Sequence, residues 1–127
     1  MARILVIDDD GTITHLVRLV LEGEGHEVFV ASDGSRGFAL AQRQRPDLIL
    51  LDVMMRVMSG IAVLRALAGD PRTAEIPVVM LSALSENDIG GKPDDVTYAA
   101  YVQKPFRAAE LVTLVADLVR PSIDAPR

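Results

Sequence analysis

The stretch ILVIDDDGTIT, residues 4–14, decides how the chain folds. Ile4-Leu5-Val6-Ile7 is short, rich in β-branched residues and apolar at every position. A strand of that kind is buried on both faces, which implies a parallel sheet with helices on each side. The run ends in three consecutive acids, Asp8, Asp9 and Asp10, followed by Gly11 and Thr12. Two kinds of phosphate chemistry can own such a cluster. In one, an aspartate here is the nucleophile of a hydrolase. In the other, the aspartates only hold a metal and the nucleophile lies elsewhere.

Outward from this stretch the same alternation repeats. Ile13, Leu16, Val17, Val20 and Leu21 fall at helical spacing, with Gly23 and Gly25 as stop signals. Val28-Phe29-Val30 reads as a second strand, and Asp33-Gly34 as a turn. After Pro46, Leu48-Ile49-Leu50-Leu51 forms a third strand ending at Asp52. A helix opens near Ser59 and carries Ile61, Leu64 and Leu67 inward. Val78-Val79-Met80-Leu81 is a fourth strand ending at Ser82, and Tyr98 to Val102 a fifth. A last helix sets Leu111, Leu114, Val115, Leu118 and Val119 on one stripe, with Pro121 as its stop and a loose tail over residues 121–127. Successive βα units give an open, doubly wound α/β sheet, and such sheets carry their site beyond the C-terminal strand ends.

The 127 residues suffice for one domain, with 50% hydrophobic residues, no cysteine and no tryptophan. Disulfides and thiolate metal sites are therefore excluded. A net charge of −5 argues against direct nucleic-acid binding, which needs a basic face. No apolar run approaches the ~18 residues that span a bilayer, and the N-terminus lacks the pattern of a signal peptide. A cytoplasmic protein without membrane contact is expected.

The strand ends carry the chemistry. Asp8, Asp9 and Asp10 follow the first strand, Asp52 the third, Ser82 the fourth, and Lys104 comes shortly after the fifth. Each alone reads as a helix cap or a surface charge. Together they converge on one sheet edge. Carboxylates about 4 Å apart repel by about 4 kcal/mol per pair at an effective dielectric near 20, so the cluster needs a cation or a proton. Oxygen donors with no His or Cys nearby favour a hard ion such as Mg²⁺. Lys104 suits a phosphate oxygen, and Ser82 can donate a hydrogen bond to another. These are parts for moving a phosphoryl group, and a carboxylate can accept it.

The segments ILVIDDD, PDLILLDVMM with Gly60 downstream, VVMLSA and YVQKPF together resemble the receiver domain of bacterial response regulators, over roughly residues 2–120. The resemblance implies a flavodoxin-like, five-stranded parallel sheet of order 2-1-3-4-5, with residues 1–120 as the receiver domain. It makes Asp52 the phosphoryl acceptor from a sensor histidine kinase or histidine phosphotransfer protein. Mg²⁺ would be held by Asp8, Asp9, Asp52 and the backbone carbonyl of Met54. Ser82 and Tyr101 become switch residues. Lys104, Ser82 and the backbone of Ala83 become phosphate contacts, and Lys104-Pro105 a cis-peptide candidate. A downstream protein partner is implied but not named. The chain ends soon after the last helix, so a stand-alone or excised receiver is expected. Dimerisation through the last helix and fifth strand is compatible with the sequence.

DDDGT also resembles the haloacid dehalogenase motif, with Asp8 as nucleophile and Asp10 as general acid. That reading lacks an acidic motif after Lys104 and leaves Asp52 without a role. A third reading is a receiver-like interaction module that never takes phosphate. Asp10 is expected to cap the following helix, Phe106 to anchor the last one, and His15 and His26 to lie on the surface. Met54, Met55 and Met58 read as core or loop filler.

The chain departs from the receiver pattern in two places. Arg56 and Val57 stand where proline and often glycine follow the acceptor; the Arg56 guanidinium reads either as a solvated side chain or as lying near the cleft mouth, against phosphate or kinase. Between Ser82 and Tyr101 most receivers carry a fourth helix. Here Gly90 and Gly91 each cost about 1 kcal/mol in a helix, and Pro93 about 3 kcal/mol. A turn or two from Ser85 to Ile89 is expected, then an irregular, mobile stretch from Gly90 to Asp95.

Overall fold

In the computed structural model, residues 1–119 are described, so the expected end of the domain at Arg120, the stop at Pro121 and the tail lie outside the described residues. The strands are β1 (Arg3–Ile7), β2 (Glu27–Ala31), β3 (Leu48–Asp52), β4 (Val78–Ser82) and β5 (Ala100–Gln103). Three helices join the first four strands, α1 (Gly11–Gly23), α2 (Gly34–Gln44) and α3 (Gly60–Ala68), and α4 (Ala108–Val119) follows β5. All neighbouring strands pair in parallel, in the order β2-β1-β3-β4-β5.

Residues 4–7, 48–51 and 78–81 of β1, β3 and β4 are apolar throughout because each face of the sheet has its own core. Ile4, Val6, Leu48, Leu50, Val79 and Leu81 pack on one side with Val17 and Leu21 of α1 and Leu111 and Val115 of α4. Leu5, Ile7, Ile49, Leu51, Val78 and Met80 pack on the other with Ala41 of α2 and Val63, Leu64 and Leu67 of α3. Successive side chains alternate between the two, as strand geometry requires. No described helix is long and apolar enough to cross a membrane.

Four local expectations need correction. Asp33-Gly34 is not a turn but the start of α2, with the Asp33 carboxylate accepting from the Arg36 amide at 2.7 Å. That helix carries few apolar residues, so it offers little apolar pattern to read from the sequence. Its Gly37 lies so close to the sheet that a Cβ would come within 2.5 Å of the Ile7 side chain. On α1, Leu16 is 46% exposed while Thr14 is buried, its hydroxyl donating to the Gly11 carbonyl at 3.1 Å. β5 starts at Ala100 rather than Tyr98, because its ladder with β4 begins at Val79 opposite Ala100. His26 is half-buried, its Nδ1 accepting from the Ala2 amide at 3.1 Å, whereas His15 is exposed.

The link from β4 to β5 holds one capped turn in place of a helix. Ser85 and Asp88 bond reciprocally, the Ser85 amide to the Asp88 carboxylate at 3.0 Å and the Asp88 amide to the Ser85 hydroxyl at 3.1 Å. This is the geometry of a capping box, with aspartate in place of the usual glutamate. One turn later the Gly91 amide reaches the Glu86 carbonyl at 2.8 Å and the Gly90 amide reaches that of Asn87 at 3.0 Å. That pair of bonds is the Schellman closure of a helix, and it places Gly90 at φ +92° and Gly91 at φ +81°. The irregular remainder is tied down by Arg65 of α3, bonded twice to Asp95 at 2.8 and 3.3 Å, and by the Tyr98 hydroxyl donating to Glu86. Ile89, Val96, Tyr98 and Tyr101 pack against the core on this side, where a helix would otherwise lie.

Candidate functional site

The sheet's C-terminal edge gathers the expected residues. β1 delivers Asp8 directly after Ile7, and the Asp8 amide donates to the Ala31 carbonyl at 3.1 Å, which pins the strand end. Asp10 turns away to cap α1, accepting from the amides of Thr12 at 2.9 Å and Ile13 at 3.4 Å. A capping carboxylate of this kind is poorly placed as a general acid, which weakens the hydrolase reading. β3 ends on Asp52, whose neighbour Val53 donates to the Leu81 carbonyl at 2.8 Å. β5 leads to Lys104, whose amide donates to the Ser82 carbonyl at 2.7 Å. Three strand ends are thereby stitched into one rim. The Lys104–Pro105 peptide is cis, and Phe106 packs beside α4.

Asp8, Asp9 and Asp52 each offer an oxygen within 4.8 Å of the others. Asp8 and Asp52 are 1% and 5% exposed, and Asp9 is half-buried. The Lys104 ammonium donates to Asp8 at 2.9 Å and stands 3.6 Å from Asp52. Asp52 also accepts from the Met54 amide at 3.3 Å. Burial, and then the charge of Asp8, push the Asp52 pKa up to about 6, although Lys104 and the Met54 amide pull the other way. Burial alone would lower the pKa of Lys104; the hydrogen bond and charge of Asp8, and the charge of Asp52, outweigh it and hold the ammonium above its ordinary value.

This set fits Mg²⁺. All its donors are oxygens, they are pre-gathered, and two of the three carboxylates, Asp8 and Asp52, are buried. Met54 lies two residues past Asp52, with its side chain exposed to solvent.

Ser82 is fully buried, and its hydroxyl oxygen accepts from the Leu84 amide at 3.1 Å. The Tyr101 hydroxyl donates to the carbonyl of the same residue, Leu84, at 2.7 Å. The Ala83 carbonyl accepts from the Gln103 side chain at 3.3 Å. Ser82 and Tyr101 are thus linked through one residue of the β4–β5 connection.

The loop after Asp52 holds what sequence reasoning missed. Gly60 sits where a Cβ would lie 2.1 Å from the Asp52 carbonyl oxygen, and its amide donates to the Val53 carbonyl at 2.8 Å. Val57 has φ +69° and is fully exposed. The Met58 amide donates to the Arg56 carbonyl at 2.8 Å, so Val57 is the centre of a γ-turn, a strained setting for a β-branched residue. Since the left-handed region costs a side chain about 1–2 kcal/mol and glycine loses extra chain entropy, Val57→Gly should stabilise the fold by about 1 kcal/mol. Urea unfolding measures this, and a less stable variant would contradict it.

Arg56 lies at the cleft mouth, but its partner is Asp9. Its amide donates to the Asp9 carboxylate at 3.2 Å, and its guanidinium Nε stands 3.6 Å from the same oxygen.

The parallel sheet gathers carboxylates and Lys104 at one edge, and the sequence matches the response regulator receiver domain over residues 4–116, so the chain belongs to that family. It is 42% identical to the DNA-binding dual master transcriptional regulator RpaA of Synechocystis, over 100% of this chain and 53% of that protein. Identity to the DNA-binding response regulator MtrA of Mycolicibacterium smegmatis is 39%, over 98% of this chain and 53% of that protein. The chain thus spans about half the length of the curated relatives it matches. Among solved structures, the chemotaxis protein CheY4 of Vibrio cholerae superposes with a TM-score of 0.86 at 30% identity, covering 93% of this chain and 98% of that one.

Proposed function

We propose that this receiver domain is a switch that takes a phosphoryl group on Asp52 from a phosphohistidine of a sensor kinase or phosphotransfer protein. The observation that carries this reading is the placement of buried Asp52 against Asp8, Asp9 and Lys104 at the end of the central strand. The carboxylates of Asp8, Asp9 and Asp52 and the Met54 carbonyl would hold Mg²⁺, which supplies positive charge against the acids and an incoming phosphoryl group.

The chain's own residues account for the rest. With its pKa near 6, Asp52 is mostly ionised at pH 7 and can act as nucleophile. One of its oxygens forms the bond to phosphorus as the P–N bond of the donor breaks, and the leaving imidazole takes up a proton. Lys104, already between Asp8 and Asp52, is the nearest fixed cation for the new phosphoryl oxygens. The Ser82 hydroxyl and the Ala83 backbone are the proposed donors to the others. To turn toward phosphate, Ser82 gives up the Leu84 amide. That frees the residue whose carbonyl holds Tyr101, so both switch residues and the capped turn beyond them move together. Output to a downstream protein follows as a shift in population between two arrangements. The unusual β4–β5 link makes that output face distinctive.

The test is intact mass after incubation with MgCl₂ and a small acyl phosphate. One added phosphoryl group, lost in Asp52→Asn, is the expected result. Continuous phosphate-ester turnover abolished by Asp8→Asn would instead mark a hydrolase, and an unchanged mass an inert module.

A further inference from the structure

We infer that Arg56 is a tethered competitor for the cation at Asp9, raising the Mg²⁺ concentration at which the site fills. This rests on the Mg²⁺ reading above and deepens it. The acids of the cleft are divided between two cations. Lys104 serves Asp8 and Asp52; it grows from the end of β5 and its side chain is only 15% exposed. Arg56 serves Asp9, with its side chain 88% exposed.

The two contacts of Arg56 differ in permanence. Its amide bond to Asp9 belongs to the backbone of the acceptor loop and survives any side-chain change. The guanidinium, 3.6 Å from the same carboxylate and open to solvent, can swing out. The γ-turn at Val57 follows at once and holds the loop in the course that brings Arg56 over Asp9. A guanidinium in that position neutralises Asp9 while the site lacks a metal. It also repels an arriving dication, which has to displace it to use the Asp9 oxygen. A unit charge about 5 Å from a doubly charged ion, in water at physiological ionic strength, weakens binding by about five-fold. Arg56 therefore shifts filling of the cleft to higher Mg²⁺ while leaving the one-site shape of the binding curve unchanged.

The measurement is Mg²⁺ affinity itself, with no phosphoryl donor present. The parent, Arg56→Ala and Arg56→Lys are titrated with MgCl₂, following the amide resonances of Asp8, Asp52 and Lys104. Arg56 is on the surface, so the variants should fold. The expected result is binding about five-fold tighter in Arg56→Ala, with Arg56→Lys within two-fold of the parent. The gap between parent and Arg56→Ala should shrink when KCl is raised from about 0.1 to about 0.5 M, because the competition is screened. Equal affinities in all three proteins overturn the inference and leave the metal site standing. Equal tightening in the Lys and Ala variants also overturns it, since a loosened loop rather than a lost charge would then be the cause. Absence of saturable shifts in every protein overturns the Mg²⁺ reading, and this inference with it.

Discussion

Asp52→Asn should be more stable than the parent by about 2–3 kcal/mol at pH 7 without divalent metal. The acceptor carboxylate is buried beside Asp8, and its pKa in the folded chain, about 6, lies above the ordinary 3.8. A raised acid pKa means the folded state prefers the protonated form. The stabilisation from that proton is fully present below pH 3.8 and is lost as pH rises through about 6. At about 1.36 kcal/mol per pH unit, the span between the two values gives an upper figure of about 3 kcal/mol. Asparagine removes the charge and keeps an oxygen for the Met54 amide. For a chain of this length the gain corresponds to a shift in unfolding temperature on the order of 10 °C. The difference should close as pH falls toward 4, and narrow at pH 7 when Mg²⁺ stabilises the parent by binding its folded form. Thermal unfolding of both proteins across pH 4–8, with and without MgCl₂, checks each part. An asparagine variant no more stable than its parent at pH 7 would show that the cluster is not short of positive charge.

The second large effect is expected at Gly60. A Cβ there would stand 2.1 Å from the Asp52 carbonyl oxygen and 2.7 Å from the Val53 Cα. Both are backbone atoms, so no flexible side chain can yield. The loop from Val53 to Ser59 must open, and the Gly60 bond to the Val53 carbonyl stretches with it. Overpacking of this severity costs about 3 kcal/mol or more, a large share of the stability of a small domain. Gly60→Ala should therefore unfold at much lower urea, and whatever remains folded should accept phosphate slowly, because Asp52 moves with its own carbonyl. Gly11→Ala is the natural control: nothing lies within 4 Å of a Cβ there. A Gly60→Ala protein as stable as the Gly11→Ala one would refute the close approach.

Much of this site was readable from residues alone, for a simple reason. In a parallel sheet every strand is buried on both faces, so the first polar residue after an apolar run marks a strand end, and the fold brings such ends to one edge. Asp8, Asp52 and Ser82 stand at the ends of their strands, with Lys104 just beyond. Gly90, Gly91 and Pro93 likewise argued against a helix between β4 and β5, since glycine and proline are costly in a helix interior. Signals faded where local pattern and burial part company. α2 is held by its Asp33 cap, by Gly37 against Ile7 of the sheet and by Gly34 against Val63 of α3, so its sequence reads as a turn. Leu16 fits the helical stripe yet faces outward, because Thr14, Val17 and Leu21 are the residues α1 buries.

The sequence by itself determined the layering of the sheet, the identity of the acids and the lysine at its edge, and the lack of a helix between β4 and β5, because each follows from local periodicity or backbone preference. Only the tertiary structure decided which charge meets which: that Lys104 bridges Asp8 and Asp52, that Arg56 lies over Asp9, and that Gly60 must pass against the Asp52 carbonyl. Those pairings join residues up to 96 positions apart in the chain, and no short-range pattern encodes a distance between separate segments.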